Sequence, residues 1–137
     1  MTRRESRELA FILIFERIFK DETLDQIIEE ATEGRNIEID DFSYKLASTA
    51  FEKLDDIDLI IKNYSKKWKL NRISKVTLAI LRMAIVEIDN FDSVPISVSI
   101  NEAVELAKKY GGDDDASFIN GLLGAYVKDK QQEESKN

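Results

Sequence analysis

The sequence predicts an all-α protein of about seven helices in a single compact domain, and three observations carry that expectation. Chain breakers are scarce, with one proline and five glycines in 137 residues, which disfavours a strand-and-turn architecture. Apolar residues recur at spacings of three and four in seven separate stretches. Serine, threonine or aspartate stands just ahead of several of these stretches, where helices are capped. At 43% apolar and 34% charged residues, the chain has the balance of a globular protein and the length to bury a core.

Thr2-Arg3-Arg4-Glu5 reads as a capping box opening a helix to about Lys20. Leu9, Ile12 and Leu13 line one side of it, and Phe11, Ile14, Phe15 and Ile18 line the other. Such a helix is either central to the core or packed against a partner. Thr23-Leu24-Asp25-Gln26 opens a short second helix that ends at Gly34. Asp40-Asp41 start a third, carrying Phe42, Leu46, Ala50, Phe51 and Leu54. Ile57, Ile61, Tyr64 and Trp68 continue into a fourth, over about Asp56 to Trp68. Ser74 caps a fifth, from Lys75 to about Asn90, which is apolar almost all round and therefore central. Ser99-Ile100-Asn101-Glu102 reads as another capping box, although the helix can start a turn earlier. Ile96 to Ile100 alternates like a strand but runs straight into this helix and is assigned to it. Gly111-Gly112 stop it. A last helix covers about Asp115 to Lys128. Residues 1–130 form the domain, and 131–137 a polar tail that frays.

Composition also excludes chemistry. The chain has no cysteine and no histidine, so disulfides, thiolate nucleophiles, Cys/His zinc sites and histidine acid–base catalysis are absent. Asp113-Asp114-Asp115 lacks the alternation and glycine of a calcium loop, and Glu102 with Glu105 is explained by capping and a solvated face. No metal, cofactor or enzymatic activity is expected. No apolar stretch approaches the ~18 residues of a membrane span, and no basic-then-apolar leader opens the chain; the expectation is a cytoplasmic protein without membrane contact.

The net charge of −7 hides an uneven distribution. Lys62, Lys66, Lys67, Lys69, Arg72, Lys75 and Arg82 occupy residues 62–82 without one acid, leaving −14 on the rest. A basic zone in an acidic chain suits a localised anion-binding surface. An RNA track, a docking surface for an acidic partner and a merely solvated face all remain open for it. Arg82, inside the most apolar helix, calls for a carboxylate partner such as Glu87 or Glu102.

Four stretches then resemble the transcription antitermination factor NusB family. They are Arg3-Arg4-Glu5-Ser6-Arg7-Glu8-Leu9-Ala10, the run from Ala79 to Ile88 with Trp68 and Arg72-Ile73 before it, Ile100 to Lys109 preceded by Val94-Pro95, and Phe118 to Leu123. They occur in family order along nearly the whole chain. The resemblance implies two packed helical bundles. It also implies binding of a short single-stranded element, boxA, in nascent ribosomal RNA, jointly with the small-subunit ribosomal protein NusE. RNA polymerase and other Nus factors follow as indirect partners.

Arg3, Arg4 and Arg7 lie within about 100° of arc on the first helix. Cations are disfavoured there by the helix dipole, so phosphate binding explains them better than helix stability. The plain alternative is a solvated start offset by Glu5 and Glu8. The resemblance makes Phe118 a platform on which a base stacks, although core packing would equally explain a phenylalanine on an apolar stripe. Asp114, expected in the loop before the last helix, would accept a hydrogen bond from a base or simply stabilise the helix start. For the protein partner, family position points to Phe11, Phe15 and Thr77. Thr77 departs from the acidic residue frequent there and weakens any charge-based contact. A purely protein-binding adaptor is the competing reading, and both monomer and homodimer remain open.

Overall fold

A computed structural model of the chain describes residues 1–65 and 72–135. Among these residues there are seven α-helices and no strand: α1 (Arg3–Phe19), α2 (Leu24–Thr32), α3 (Asp41–Glu52), α4 (Leu54–Tyr64), α5 (Lys75–Asn90), α6 (Ile96–Tyr110) and α7 (Asp113–Ser135). The capping signals behave as their chemistry requires. Thr2 accepts from the Glu5 backbone N–H at 3.1 Å while its own N–H donates to Glu5 Oε1 at 2.9 Å. Thr23 and Gln26 repeat the arrangement on α2. Asp40 caps α3, and Ser74 accepts from the Thr77 N–H at 3.1 Å to cap α5. Gly34 leaves α2 with φ of 69°, a left-handed turn that glycine makes without steric cost.

Three local expectations need correction. α6 begins at Ile96 with Pro95 as its N-cap, so Ser99 lies inside the helix and caps nothing. The Ser-x-x-Glu spacing arises here because Ser99 faces the core and Glu102 faces α1. α7 opens two residues early, which puts Asp114 in its first turn, and it continues through Ser135, so the tail read as frayed is helical there. Two ties draw the end of α7 onto its neighbours: Tyr126 and Lys130 both bond Asp89 on α5, and Tyr64 on α4 donates to Asp129. Arg82 pairs with Asp58 on α4, at 2.8–2.9 Å. Glu87 could not have served, since residues five apart point to different sides of a helix. Lys66, Lys67, Trp68 and Lys69 lie outside the described residues, as does the expected end of the fourth helix.

Helices α1, α2 and α3 pack together, α4 to α7 gather around α5, and α1 and α3 lie against α5 to join the two groups. α5 is the buried centre, with Ala79, Ile80, Leu81, Ile85 and Val86 fully enclosed. Burying each of its large apolar side chains stabilises the fold by about 1.5–3 kcal/mol. α1 sends Ala10, Leu13 and Ile14 into the same core and leaves Ile12 and Phe19 exposed. α6 and α7 form an antiparallel pair across the tight Gly111-Gly112 connection. A Cβ at Gly111 would approach Asp115 Oδ2 to 2.7 Å and the Ala107 carbonyl to 3.1 Å, so a side chain there would displace the Asp115 carboxylate from the Gly112 N–H it accepts from.

Candidate nucleic-acid interface

The three arginines of α1 do not share one open face. Arg3 is exposed, and its guanidinium lies over the Phe42 ring at 4.0 Å from the centroid. Arg4 is also exposed and forms a fork-to-fork pair with Glu102 on α6, both contacts at 3.0 Å. That hydrogen-bonded pairing pushes the Arg4 pKa above its ordinary value. Arg7 is different. It is 4% exposed and locked to Glu87, which is 2% exposed, through Nε contacts of 2.8 and 3.1 Å. The Ser99 hydroxyl donates to the same carboxylate at 2.6 Å. The expected phosphate contact from Arg7 is therefore corrected to a buried clamp joining α1, α5 and α6. One turn further along α1, the same helix face has passed under its neighbours.

Next to Arg4, Glu8 receives hydrogen bonds from Lys109 (2.7 Å) and from the Tyr110 hydroxyl. Burial pushes the Glu8 pKa up, but those two donors outweigh it and hold the carboxyl below its ordinary value. This fastens the start of α1 to the end of α6, beside the exposed rim that carries Arg3 and Arg4.

The second group of expected residues sits elsewhere. Phe118 is half-buried and lines a pocket of about 210 Å3 with Arg72, Ile73, Ser74, Thr77, Asp114 and Asp115. No residue of α1 lines this pocket. Asp114 and Phe118 line one pocket, and Arg72, which sequence reasoning left in the basic zone, joins them there. Asp115 is occupied, accepting from the Thr77 hydroxyl at 3.1 Å and the Gly112 N–H at 3.0 Å. Asp114 is exposed. An aromatic face beside a guanidinium and a free carboxylate can stack a base, hold its phosphate and accept from its amino group.

The residues expected to meet a protein partner divide in the same way. Thr77 is 2% exposed and bonded to Asp115, so it is corrected from a docking contact to a brace between α5 and α7. Phe11, at 3% exposure, is likewise internal. It starts a row of rings that runs outward: Phe11 to Phe15 at 6.1 Å, Phe15 to Phe19 at 5.2 Å, with Tyr110 at 5.0 Å from Phe11. Phe15 is half-buried and Phe19 is 56% exposed. The four-residue spacing of Phe11, Phe15 and Phe19 was the signal that could have brought Phe19 into the reading.

With this geometry in place, the likeness to known proteins becomes decisive. The family model described as "NusB family" matches residues 4–128. The chain belongs to the NusB family. It is 46% identical over 132 residues to the transcription antitermination protein NusB of Acetivibrio thermocellus, a match covering 95% of this chain and 91% of that protein. Its fold is similar to NusB of T. maritima, with a TM-score of 0.83 at 36% identity, covering 93% of this chain and 92% of the other. It is similar as well to a chain in a crystal structure of antitermination factors NusB and NusE in complex with double-stranded RNA, with a TM-score of 0.80 and 28% identity over 92% of this chain and 96% of that one. The two NusB-type bundles expected from the resemblance correspond to the α1–α3 and α4–α7 groups. No helix among the described residues is long and apolar enough to cross a membrane.

Proposed function

We propose that this chain is a transcription antitermination factor that binds boxA-type single-stranded RNA of nascent ribosomal transcripts jointly with NusE, without catalysing a reaction. It supports processive transcription in the cytoplasm and reaches RNA polymerase and other Nus factors through the assembled complex. The observation that carries this reading is the open pocket in which the half-buried Phe118 ring stands beside Arg72 and exposed Asp114, in a chain whose family membership is established over residues 4–128. Phe118 stacks a base, Asp114 accepts a hydrogen bond from a base edge, and Arg3 and Arg4 hold phosphates at the rim. Arg7 acts behind them by fixing α1 to α5 and α6. The exposed end of the aromatic row, Phe15 and Phe19, supplies the apolar contact for NusE, with Phe11 packed behind it.

The test is an anisotropy titration of a boxA-type RNA against the protein, with and without NusE, at two salt concentrations. Binding tightens with NusE, because two modules on one strand raise each other's effective concentration. Two to four neutralised phosphates give a logarithmic salt slope of about −1.4 to −2.8 for single-stranded RNA. RNA binding in neither case would replace this reading with that of a purely protein-binding adaptor.

A further inference from the structure

The antiparallel α6–α7 pair leaves an open groove of about 620 Å3 on its outer side, a volume within the range of ligand sites. Its floor is apolar, made by half-buried Ile100 and Val104 with buried Ala116. Its walls carry Asn101 from α6 and Ser117 and Asn120 from α7, all exposed, and Lys108 stands towards the α6 C-terminus. Among the described residues, neither the Asn101 nor the Asn120 amide makes a hydrogen bond within the chain. Both are therefore solvent-satisfied groups free to exchange water for a ligand.

Asn101 is adjacent in sequence to Glu102, which holds Arg4, so one end of the groove adjoins the cationic rim of α1. Across the groove from Asn101 stand Ser117 and Asn120, which flank Phe118 on α7, because the antiparallel helices place residues equally distant from the 111–112 turn opposite one another. The groove thus adjoins both contact regions assigned above, within reach of a strand bound at either. Its chemistry suits a flat group with an apolar face and a polar edge. Each amide presents a donor and an acceptor side by side, the pattern by which asparagine reads a base edge. Lys108, paired with Glu105 at 3.6 Å, stands beside Asp113 at the turn end and leaves the base edge to the two amides.

We infer that the α6–α7 groove is a base-reading site that takes an unpaired nucleobase, with Asn101 and Asn120 hydrogen-bonded to its edge. This rests on the RNA-binding reading proposed above. It adds a specificity element, since the α1 arginines meet phosphates and carry no sequence information.

The test is abasic scanning: a boxA-type RNA and derivatives lacking one base at a time are titrated by anisotropy in the presence of NusE. One abasic position away from the Phe118 contact weakens binding to the wild-type protein by about 5- to 100-fold. In N101A/N120A that penalty shrinks to less than about twofold, while the salt slope stays unchanged because no phosphate contact is lost. N101D/N120D, which keeps the side-chain shape, removes the penalty in the same way. Both pairs should melt like the wild type, since the amides are exposed. R3A/R4A behaves conversely, keeping the abasic profile and flattening the salt slope. Abasic profiles that are the same in wild type and N101A/N120A overturn the inference and leave the RNA-binding reading intact. Weaker NusE binding by N101A/N120A with an unchanged profile assigns the groove to protein docking and also overturns it. No binding of RNA by the wild type overturns both.

Discussion

Replacing Arg7 by alanine separates a structural arginine from a ligand-binding one. In the native protein, Glu87 is 2% exposed and receives two contacts from Arg7 Nε and one from Ser99. Among the described residues no buried side-chain nitrogen or oxygen lacks a partner. R7A leaves that carboxylate with Ser99 alone, in a site water does not reach. Breaking a buried pair by removing one partner costs about 3–5 kcal/mol. For a domain of this size that lowers the melting temperature by roughly 10–20 °C. Replacing both charges, as in R7M/E87M, recovers most of the loss, because no unpaired carboxylate is then left buried. The assay is thermal unfolding by circular dichroism, paired with RNA anisotropy at a temperature where R7A stays folded. The salt slope of R7A should match the wild type, since Arg7 reaches no phosphate. An R7A protein that melts within a few degrees of wild type, yet loses about 0.7 from its salt slope, would refute this account of the clamp.

Four other outcomes are expected. R3A/R4A should flatten the salt slope by about 1.4, the equivalent of two phosphates on a single strand, with little change in melting temperature. F118A should weaken boxA-type RNA binding by about 5- to 100-fold through loss of a stacking platform, and F118W should retain it, as read by the same titration. F15A/F19A should reduce NusE association measured by calorimetry while leaving the salt slope for RNA alone unchanged. The hydrogen bond to Asp129 pushes the Tyr64 hydroxyl up to about 12. The folded state therefore holds this proton more tightly than the unfolded chain, so its contribution to stability is full below pH 10 and is lost between pH 10 and about 12. Melting curves across that range should fall less steeply for Y64F.

The helices were legible because each start carries its own chemistry. Thr2, Thr23, Asp40 and Ser74 are caps that act locally, and no tertiary information is needed to read them. Ser99 misled for the opposite reason: its spacing to Glu102 imitates a cap, and only the approach of α5 shows that its hydroxyl serves Glu87. The same limit applied to the arginines. Periodicity places residues 3, 4 and 7 on one arc, but whether that arc faces water depends on where α5 and α6 lie. The one local clue to Arg7 was Glu87 itself, since an acid in a helix apolar almost all round requires a buried partner. Asp58, which satisfies Arg82, and Arg72, which joins Phe118 and Asp114, are long-range neighbours that no spacing rule connects. Thr77 and Phe11 were placed by likeness alone, and burial showed that both support the surface from behind.

The account turns on where an RNA strand touches this chain, and amide chemical-shift mapping during titration with a boxA-type RNA reads that directly. The largest changes should fall at the first turn of α1, along the facing sides of α6 and α7, and around Asp114 and Phe118, leaving the Phe15–Phe19 surface for a second set of changes when NusE is added. Changes confined to α2 and α3, or none at saturating RNA with NusE bound, would contradict it.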